Sequence, residues 1–327
     1  MAIEYRAAAV PDLPAVVAML DQEFIEGRGR HTSMAARYPS CFDPANAANI
    51  FVAQDGGTIA AALIARRFSL NRNGKAIPGA MIGGVCTLAQ RRGEGLGSGL
   101  LRHAVDALDA AGAEFAVLWT AQPRFYERLG WVAGDRGMLG DTGIRSATGA
   151  APGTVYAAPA AQCDLRLLEG IRARYLAEQV VRERAEYAQQ PVPADRVDAL
   201  CWQGTEEHAA YALVGNAGGM GVVYELAGAE EGFEFLWRAI LASYGRVLVN
   251  DCAGSASQRW LARHADLSWA GKPLAMWWPF EHGPGVDELK QCYVPYFDRI
   301  GELLPSVFAE RGNQRFQVFG VVAPSFD

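Results

Sequence analysis

The sequence has few of the residues that metal and redox sites require. Its 327 residues include six cysteines and five histidines. No two cysteines form a C-x-x-C pair, and no two histidines lie at metal-ligand spacing. We therefore expect neither a metal centre nor a redox dithiol, and we interpret the cysteines as buried free thiols. They are Cys41, Cys86, Cys163, Cys201, Cys252 and Cys292.

The sequence also lacks a basic excess, a long apolar run and a secretory leader. Its 30 lysines and arginines face 36 acidic residues, which gives a formal net charge of −6 and argues against a nucleic-acid partner. No apolar run approaches the roughly 20 residues of a membrane span. The first residues lack the basic-then-apolar layout of a signal peptide. These absences favour a cytoplasmic protein without a membrane partner, and they leave the oligomeric state open.

The composition is that of a globular protein large enough for two domains. Half of the residues are apolar and a fifth are charged, which suffices for a sizeable core. Residues 141–159 are rich in Gly, Ala, Thr and Pro, as a linker would be. We therefore expect one domain over residues 1–145 and a second over residues 160–327.

Hydrophobic periodicity predicts an α/β protein with mixed sheets flanked by helices. In the first half, the predicted strands cover 3–7, 50–54, 58–68, 77–87 and 115–119, and another starts at 131–133. The predicted helices of this half cover 13–24, 97–111 and 124–129.

The second half has a similar order of predicted elements. The predicted strands cover 211–214, 221–226, 246–250, 274–280 and 316–322. The predicted helices cover 164–188, 232–244, 256–264 and 296–310. From residue 221 onward, the order of strand, helix, strand, short helix and strand repeats that of residues 80–132, which indicates a structural internal repeat.

The glycine-rich segment Gln90–Gly99 lies between a predicted strand and an amphipathic helix. Glycine allows unusual backbone dihedrals and a close approach to a ligand, and the first N–H groups of the helix have no partner within the helix. Together these features predict a nest of amides for a pyrophosphate, with Arg91 and Arg92 adding positive charge. The alternative is a flexible turn without a ligand.

Two common nucleotide-binding patterns do not fit this segment. The dinucleotide pattern G-x-G-x-x-G would need glycine at positions 93, 95 and 98, but residue 98 is Ser98. It also follows the first strand of its unit, whereas several predicted strands precede this segment. The P-loop pattern ends in Gly-Lys-Ser/Thr, which is absent here. A nucleotide-dependent oxidoreductase is therefore disfavoured.

The segment Gln90–Gly95 matches the Q/R-x-x-G-x-G/A signature of the GNAT acetyltransferase superfamily. The strand end at Val85–Thr87, the helix start at Leu96–Leu101 and the block Phe125–Trp131 lie where that family has them. The first 140 residues therefore resemble a GNAT domain. The resemblance implies a central mixed sheet, acetyl-coenzyme A as co-substrate and an amine acceptor.

The resemblance also implies roles for particular residues. The backbone of Val85–Thr87 would hold the pantetheine arm like an added strand. Tyr126 would act as the general acid that protonates the departing coenzyme A thiolate. The implied cofactor-binding residues are Val85, Cys86, Thr87, Arg91, Arg92, Gly93, Glu94, Gly95, Leu96, Gly97 and Ser98.

The base that would deprotonate the amine is left open. Many GNAT members place a glutamate on the strand before the loop, but residues 80–87 contain no acid. The alternatives are a water chain and four side chains near the first helix, namely Asp21, Glu23, Glu26 and His31. A further hypothesis is the chain's own terminal carboxylate at Asp327, as in the enhanced-intracellular-survival acetyltransferases.

The second half resembles the degenerate unit of tandem GNAT proteins such as mycothiol synthase. Its counterpart of the loop, Leu226–Gly232, contains two glutamates and would repel a pyrophosphate. We therefore expect this unit to lack the phosphate loop and to be non-catalytic. The adjacent Trp277 and Trp278 should point to opposite faces of a strand, mainly into the core.

The function that follows is an N-acetyltransferase that moves an acetyl group from acetyl-coenzyme A to a primary amine by direct attack. The acceptor, a small molecule or a peptide, is not specified by any recognisable pattern. The alternative is a coenzyme A-binding sensor or scaffold without turnover.

Overall fold

Two β-sheets with flanking helices form the protein. The computed structural model describes residues 3–28, 31–120, 122–147, 153–182, 184–189, 194, 196–204 and 208–294. The predicted helix at 296–310, the predicted strand at 316–322 and the terminal carboxylate at Asp327 lie outside the described residues. Both sheets mix parallel and antiparallel pairs, so the predicted mixed α/β fold class is confirmed.

The described residues of the first half supply seven strands and four α-helices. The strands are β1 (Glu4–Ala7), β2 (Ile50–Asp55), β3 (Thr58–Arg72), β4 (Lys75–Thr87), β5 (Phe115–Trp119), β6 (Val132–Ala133) and β7 (Gly137–Asp141). The helices are α1 (Leu13–Phe24), α2 (Met34–Arg37), α3 (Leu96–Ala110) and α4 (Pro123–Glu127).

The second half supplies eight strands and five α-helices among the described residues. The strands are β8 (Val155–Pro159), β9 (Glu178–Val180), β10 (Val197–Gln203), β11 (Ala209–Ala217), β12 (Met220–Gly228), β13 (Val247–Cys252), β14 (Ser268–Gly271) and β15 (Ala275–Pro279). The helices are α5 (Leu165–Tyr175), α6 (Arg184–Tyr187), α7 (Glu230–Ser243), α8 (Ala256–His264) and α9 (Val286–Lys290).

The two sheets have the same topology and exchange one strand with each other. The first sheet has the order β1-β2-β3-β4-β5-β15-β6, with β9 paired to β3, and the second has the order β8-β10-β11-β12-β13-β7-β14. Strand β7 leaves the first half to lie between β13 and β14, and β15 returns from the second half to lie between β5 and β6. The predicted internal repeat is therefore present, and each sheet is completed by a strand from the other half.

Helices cover both faces of each sheet, as alternation along the strands requires. In β2, Phe51 and Ala53 face the cluster that contains α3, whereas Ile50 and Val52 face the cluster that contains α1. In the second sheet, α5 packs against one face and α7 against the other. Each sheet is therefore held between two hydrophobic layers, one on each of its faces.

The predicted continuous helix over residues 164–188 is interrupted after Tyr175, and only Arg184–Tyr187 of the described remainder is helical, as α6. Helix α5 ends at Tyr175, and Glu178–Val180 forms β9, which pairs antiparallel with Arg72, Asn71 and Leu70 of β3. The apolar spacing that suggested a continuous helix includes Val180, but this side chain is buried in a cluster with β3 and β15. Pairing with the distant β3 therefore overrides the local helical pattern.

Some strands lie where the sequence predicted none. The segment predicted as a linker carries β8, and β10 lies in a segment for which no strand was predicted. All six cysteines are free, and all except the partly exposed Cys201 are buried, as predicted. Trp277 and Trp278 pack on opposite faces of β15, in the first sheet. Within the described residues, no helix combines the length and the hydropathy needed to cross a membrane.

Candidate active site

The first sheet opens between β4 and β5, its only parallel neighbours in the described strand order. The two strands are paired only where Gly79–Met81 faces Phe115–Val117. The register of β4 against β3 shifts between the partners of Ala62 and Ile64, and Gly84 within this bulge has a φ of 60°. A bulge bends its strand, so β4 diverges from β5 and leaves a cleft along Val85–Thr87.

The glycine-rich loop closes one end of this cleft. Gly93 and Gly95 have φ values of 81° and 77°, which residues with a Cβ rarely adopt. Gly95 is also the N-cap residue that precedes α3, and no side chain caps this helix. The first amides of α3 therefore point out of the helix without a capping side chain, in the geometry that binds phosphate oxygens.

Three elements meet at the start of α3. A Cβ atom added to Gly97 would lie 3.3 Å from the Thr87 hydroxyl oxygen of β4 and 3.9 Å from the Phe125 ring of α4. A Cβ at Gly99 would collide with the Tyr5 ring. Small residues on this face of α3 therefore let the helix start pack directly against β1, β4 and α4.

Tyr126 lies on α4 beside this meeting point. Its ring packs edge-on against Phe125 and Trp131, with ring centroids 5.0 and 6.2 Å away. The backbone carbonyl of Tyr126 accepts hydrogen bonds from the amides of Leu129 and Trp131. The aromatic packing and these bonds fix the tyrosine on α4 next to Phe125, whose ring faces the start of α3.

Both arginines of the loop form ion pairs. Arg91 bonds Glu94 within the loop at 2.8 Å and Asp55 of the β2–β3 hairpin at 3.1 Å. Arg92 bonds Glu23 of α1 at 2.7 Å. The two arginine side chains are each between a quarter and a third exposed. A competing anion can therefore replace their carboxylate partners. The ion pairs anchor the loop to both neighbouring elements.

Cys86 is buried under the loop on the α1 side of β4. Burial and, to a smaller extent, the negative charge of Glu23 raise the pKa of its thiol to about 11, against the opposing effect of Arg92. The thiol therefore stays protonated at neutral pH and is a poor nucleophile. The same interactions place the Glu23 carboxylate near the end of β4.

The four side chains proposed as bases differ in their surroundings. The Asp21 carboxylate accepts a hydrogen bond of 2.6 Å from the Met34 amide and so fixes the start of α2. Glu26 and His31 are exposed, whereas Glu23 contacts the loop through Arg92. The structure therefore brings Glu23, among these four, to the candidate site.

The second unit lacks the corresponding loop. In the first unit, residues 88–95, eight in all, separate β4 from α3, whereas Ala229 alone separates β12 from α7. The first turn of α7 carries Glu230 and Glu231. An anion would meet two carboxylates and no glycine nest there.

Sequence reasoning missed two polar clusters in the second unit. Glu225 is buried with Arg172 and Arg182, and Asp251 is buried with two serines. A signal for the first was available, because Arg172 occupies the apolar i, i+3, i+4 spacing set by Leu168 and Ile171. Within the described residues, no group of three or more His, Cys, Asp or Glu side chains is placed to hold a metal ion.

Comparisons with known proteins point to one family for the first half of the chain. Residues 4–134 match a family model described as an acetyltransferase (GNAT) domain, a range that spans the cleft, the loop and α4. This part of the chain is therefore similar to a GNAT acetyltransferase domain. No protein with a curated function matches the chain at a significant level.

Solved structures with the same fold span most of both units. A GCN5-related N-acetyltransferase from Kribbella flavida is 18% identical, with a TM-score of 0.60 over 84% of this chain and 70% of that one. A probable N-acyltransferase from Enterococcus faecalis V583 is 15% identical, with a TM-score of 0.66 over 86% and 74%. N-myristoyltransferase from Saccharomyces cerevisiae, solved with myristoyl-CoA, is 11% identical, with a TM-score of 0.55 over 84% and 78%.

Proposed function

We propose that the protein is an N-acetyltransferase that uses acetyl-coenzyme A and acetylates a primary amine. The observation that carries the proposal is the left-handed Gly93–Gly95 loop, which leads into an uncapped helix at the point where β4 leaves β5. We assign the transfer to a first domain over residues 1–145, and we assign no phosphate site to a second domain over residues 160–327.

The donor would lie along the cleft of the first sheet. The free edge of Val85–Thr87 would pair with the amides of the pantetheine arm, and the amides from Arg92 to Ser98 would hold the pyrophosphate. The phosphates would compete with Asp55, Glu94 and Glu23 for the two loop arginines. Acetyl-coenzyme A is favoured as the donor by the family description of residues 4–134.

The transfer would proceed by direct attack of the amine. The amine nitrogen bonds to the thioester carbonyl carbon, the tetrahedral intermediate collapses, and the carbon–sulfur bond breaks. Tyr126 donates its phenolic proton to the departing thiolate. An acetyl-cysteine intermediate is disfavoured, because burial keeps the pKa of the Cys86 thiol at about 11.

Glu23 is our assignment for the group that accepts the amine proton. In the ion pair with Arg92 at 2.7 Å, its carboxylate is held by a cation. When the pyrophosphate takes over Arg92, Glu23 loses this partner and becomes free to accept a proton from the amine. Donor binding would thus prepare the base for the acceptor.

The variant Glu23→Gln tests this assignment. We expect kcat to fall at least tenfold, because the amide cannot accept the proton. We also expect the KM for acetyl-coenzyme A to fall rather than rise, since Arg92 no longer has to leave a carboxylate. Steady-state kinetics with thiol detection measures both values, and the neighbouring exposed Glu26→Gln variant is the control. An unchanged kcat would assign the base elsewhere.

Donor binding is tested by thermal shift, with a matched pair of glycine variants. Acetyl-coenzyme A at a hundred times its dissociation constant should stabilise the protein by about 2.7 kcal/mol. Gly95→Ala should weaken donor affinity at least tenfold. Gly74→Ala is the control, because Gly74 lies in the β3–β4 hairpin with a φ of 76° and, like Gly95, has open space around its Cβ position. Each variant should lose about 1–2 kcal/mol of stability through backbone strain.

The outcomes separate a binding loop from a turn. Equal stability losses with a loss of donor affinity only in Gly95→Ala would support the assignment. Equal donor affinity in both variants, or no shift with any coenzyme A species in the parent protein, would contradict it. A shift with acetyl-coenzyme A but no turnover of any amine would instead indicate a coenzyme A-binding sensor.

A further inference from the structure

The second sheet has a cleft in the same topological position as that of the first. Strands β12 and β13 are parallel neighbours but are paired only where Gly221–Val223 faces Val247–Val249. Both strands continue, to Gly228 and Cys252, without further pairing to each other, although each stays paired with its other neighbour. A cavity of about 250 Å³ lies between the diverging strands, bounded also by the start of α8 and by β9. This volume suits a small organic molecule.

The cleft does not suit a phosphate-bearing ligand. Ala229 alone joins β12 to α7, and the first helical turn begins with Glu230 and Glu231. Cβ atoms at Gly228 and Gly232 would collide with neighbouring residues, Ala210 among them, so this junction is packed tightly against the sheet. A ligand of this cleft therefore lacks the diphosphate that the first unit is built to hold.

Two of the three carboxylates that line the cavity already have cationic partners. Glu225 accepts bonds of 3.2 and 3.1 Å from the two terminal nitrogens of Arg182, and Arg172 lies 3.7 Å away. Glu178 is bonded by Arg72 at 2.9 Å and by Arg136 at 2.7 Å. The negative charge of both groups is therefore compensated within the protein.

Asp251, the third carboxylate, has only uncharged partners. It accepts hydrogen bonds of 2.7 Å from the Ser255 hydroxyl and the Cys252 amide at Oδ1, and from the Ser257 hydroxyl at Oδ2. It is 8% exposed, and its hydrogen-bond donors in the described part of the chain are two hydroxyls and a backbone amide. Burial raises its pKa above the ordinary value, and the charge of Glu225 adds to the shift. A buried carboxylate without a counter-ion is costly to the fold, and in a cleft it is a candidate functional group.

We propose that the cleft between β12 and β13 binds a small organic cation with a primary ammonium or guanidinium group, and that Asp251 is its counter-ion. A carboxylate offers about four acceptor positions, of which Asp251 uses three, so Oδ2 can accept one more N–H. The rings of Tyr224 and Phe233 also line the cavity and offer faces to a cation. The site is independent of acetyl transfer, because binding there needs no acetyl-coenzyme A.

The test compares a cation with its uncharged isostere. Isothermal titration calorimetry of the full chain, without acetyl-coenzyme A, would use α,ω-diamines of two to six carbons, agmatine and 1,4-butanediol. We expect at least one amine to bind and the diol not to bind. Asp251→Asn should weaken the amine at least tenfold. Glu234→Gln, which removes the same charge from a side chain of α7 that is 64% exposed, should leave affinity unchanged.

A second variant leaves Asp251 intact. Ala177 is exposed and lines the cleft, so Ala177→Trp should obstruct its mouth without filling the core. This variant should lose amine binding and keep the thermal shift with acetyl-coenzyme A. Equal amine affinity in the parent, Asp251→Asn and Ala177→Trp proteins would overturn the proposal, as would the absence of binding by every amine tested. Failure of the proposed acetyl transfer would not affect these results.

The stability of Asp251→Asn provides a folding control with a defined sign. The pKa of Asp251 is raised in the folded state. The protonated carboxyl therefore contributes stability that is fully present below the unfolded pKa near 3.8. This stability is lost as pH rises through the folded pKa. Ionisation of this buried carboxyl therefore opposes folding, and asparagine cannot ionise. We expect the variant to melt at a higher temperature than the parent at pH 7, with little difference at pH 3.5. A lower melting temperature at pH 7 would mean that Asp251 is a structural group.

Discussion

Replacing Tyr126 with phenylalanine should lower kcat for acetyl transfer by about 10²-fold, the lower end of what general acid catalysis contributes. The ring contacts with Phe125 and Trp131 are kept, so the geometry of α4 should persist. Without the phenolic proton, the coenzyme A thiolate must leave unprotonated or be protonated by water. Only the chemical step should slow, and the affinity for acetyl-coenzyme A should stay within about twofold of the parent.

The control for this prediction is the same substitution elsewhere. Tyr156 on β8 is 66% exposed, so Tyr156→Phe should change neither kcat nor donor affinity. Steady-state kinetics gives kcat, and the thermal shift with acetyl-coenzyme A gives donor binding. A Tyr126→Phe protein that binds the donor and turns over at the parent rate would remove Tyr126 from the mechanism. Loss of donor binding together with rate would indicate that the hydroxyl organises the cleft instead.

The glycine loop of the first unit could be predicted because its signals are local. The glycines at 93 and 95 are needed by the backbone itself, since both have positive φ values, and the amphipathic pattern of α3 follows directly. A ten-residue segment therefore predicted the loop and the helix that follows it, and its ligand stays a prediction. The ion pairs of Arg91 and Arg92 with distant acids could not be predicted, because they depend on how α1 and the β2–β3 hairpin approach the loop.

The exchange of strands between the two sheets could not be predicted from patterns in the sequence. Residues Gly137–Asp141 and Ala275–Pro279 each follow a complete run of strand, helix, strand, short helix and strand, so proximity along the chain favours pairing within their own half. Their observed partners, β13 with β14 and β5 with β6, are set by tertiary packing. Strand pairing between distant segments carries no periodic signal, and the same reason explains why β9 was assigned to a helix.

The two clefts indicate how one fold can hold two kinds of ligand. Both sheets keep parallel strands that diverge after three paired positions. The first adds a glycine loop before its helix, which attracts an anion. The second removes the loop and places Asp251 at the end of β13 instead, which attracts a cation. A polar pair such as Asn250–Asp251 at the carboxyl end of a buried parallel strand is the sequence signal that would have located this second site.

The largest expected effect on stability is at Glu225. Its carboxylate is 5% exposed and accepts bonds from Arg182 and from the Tyr211 hydroxyl, with Arg172 close by. The Arg172 side chain is completely buried. Glu225→Ala would leave two buried guanidinium groups without their shared anion, and removing one partner of a buried ion pair costs about 3–5 kcal/mol.

Urea denaturation followed by circular dichroism measures this loss. Glu234→Ala is the matched control, because its carboxylate pairs with Arg238 at 3.5 Å with both side chains 64% exposed, and exposed pairs contribute at most about 1 kcal/mol. Glu225→Gln should fall between the two variants, since the amide oxygen still accepts hydrogen bonds but carries no charge. A loss below about 1 kcal/mol in Glu225→Ala would mean that the arginines find other acceptors, with Glu169 at 3.7 Å from Arg172 the nearest one available. The buried charges of the second unit would then tolerate rearrangement.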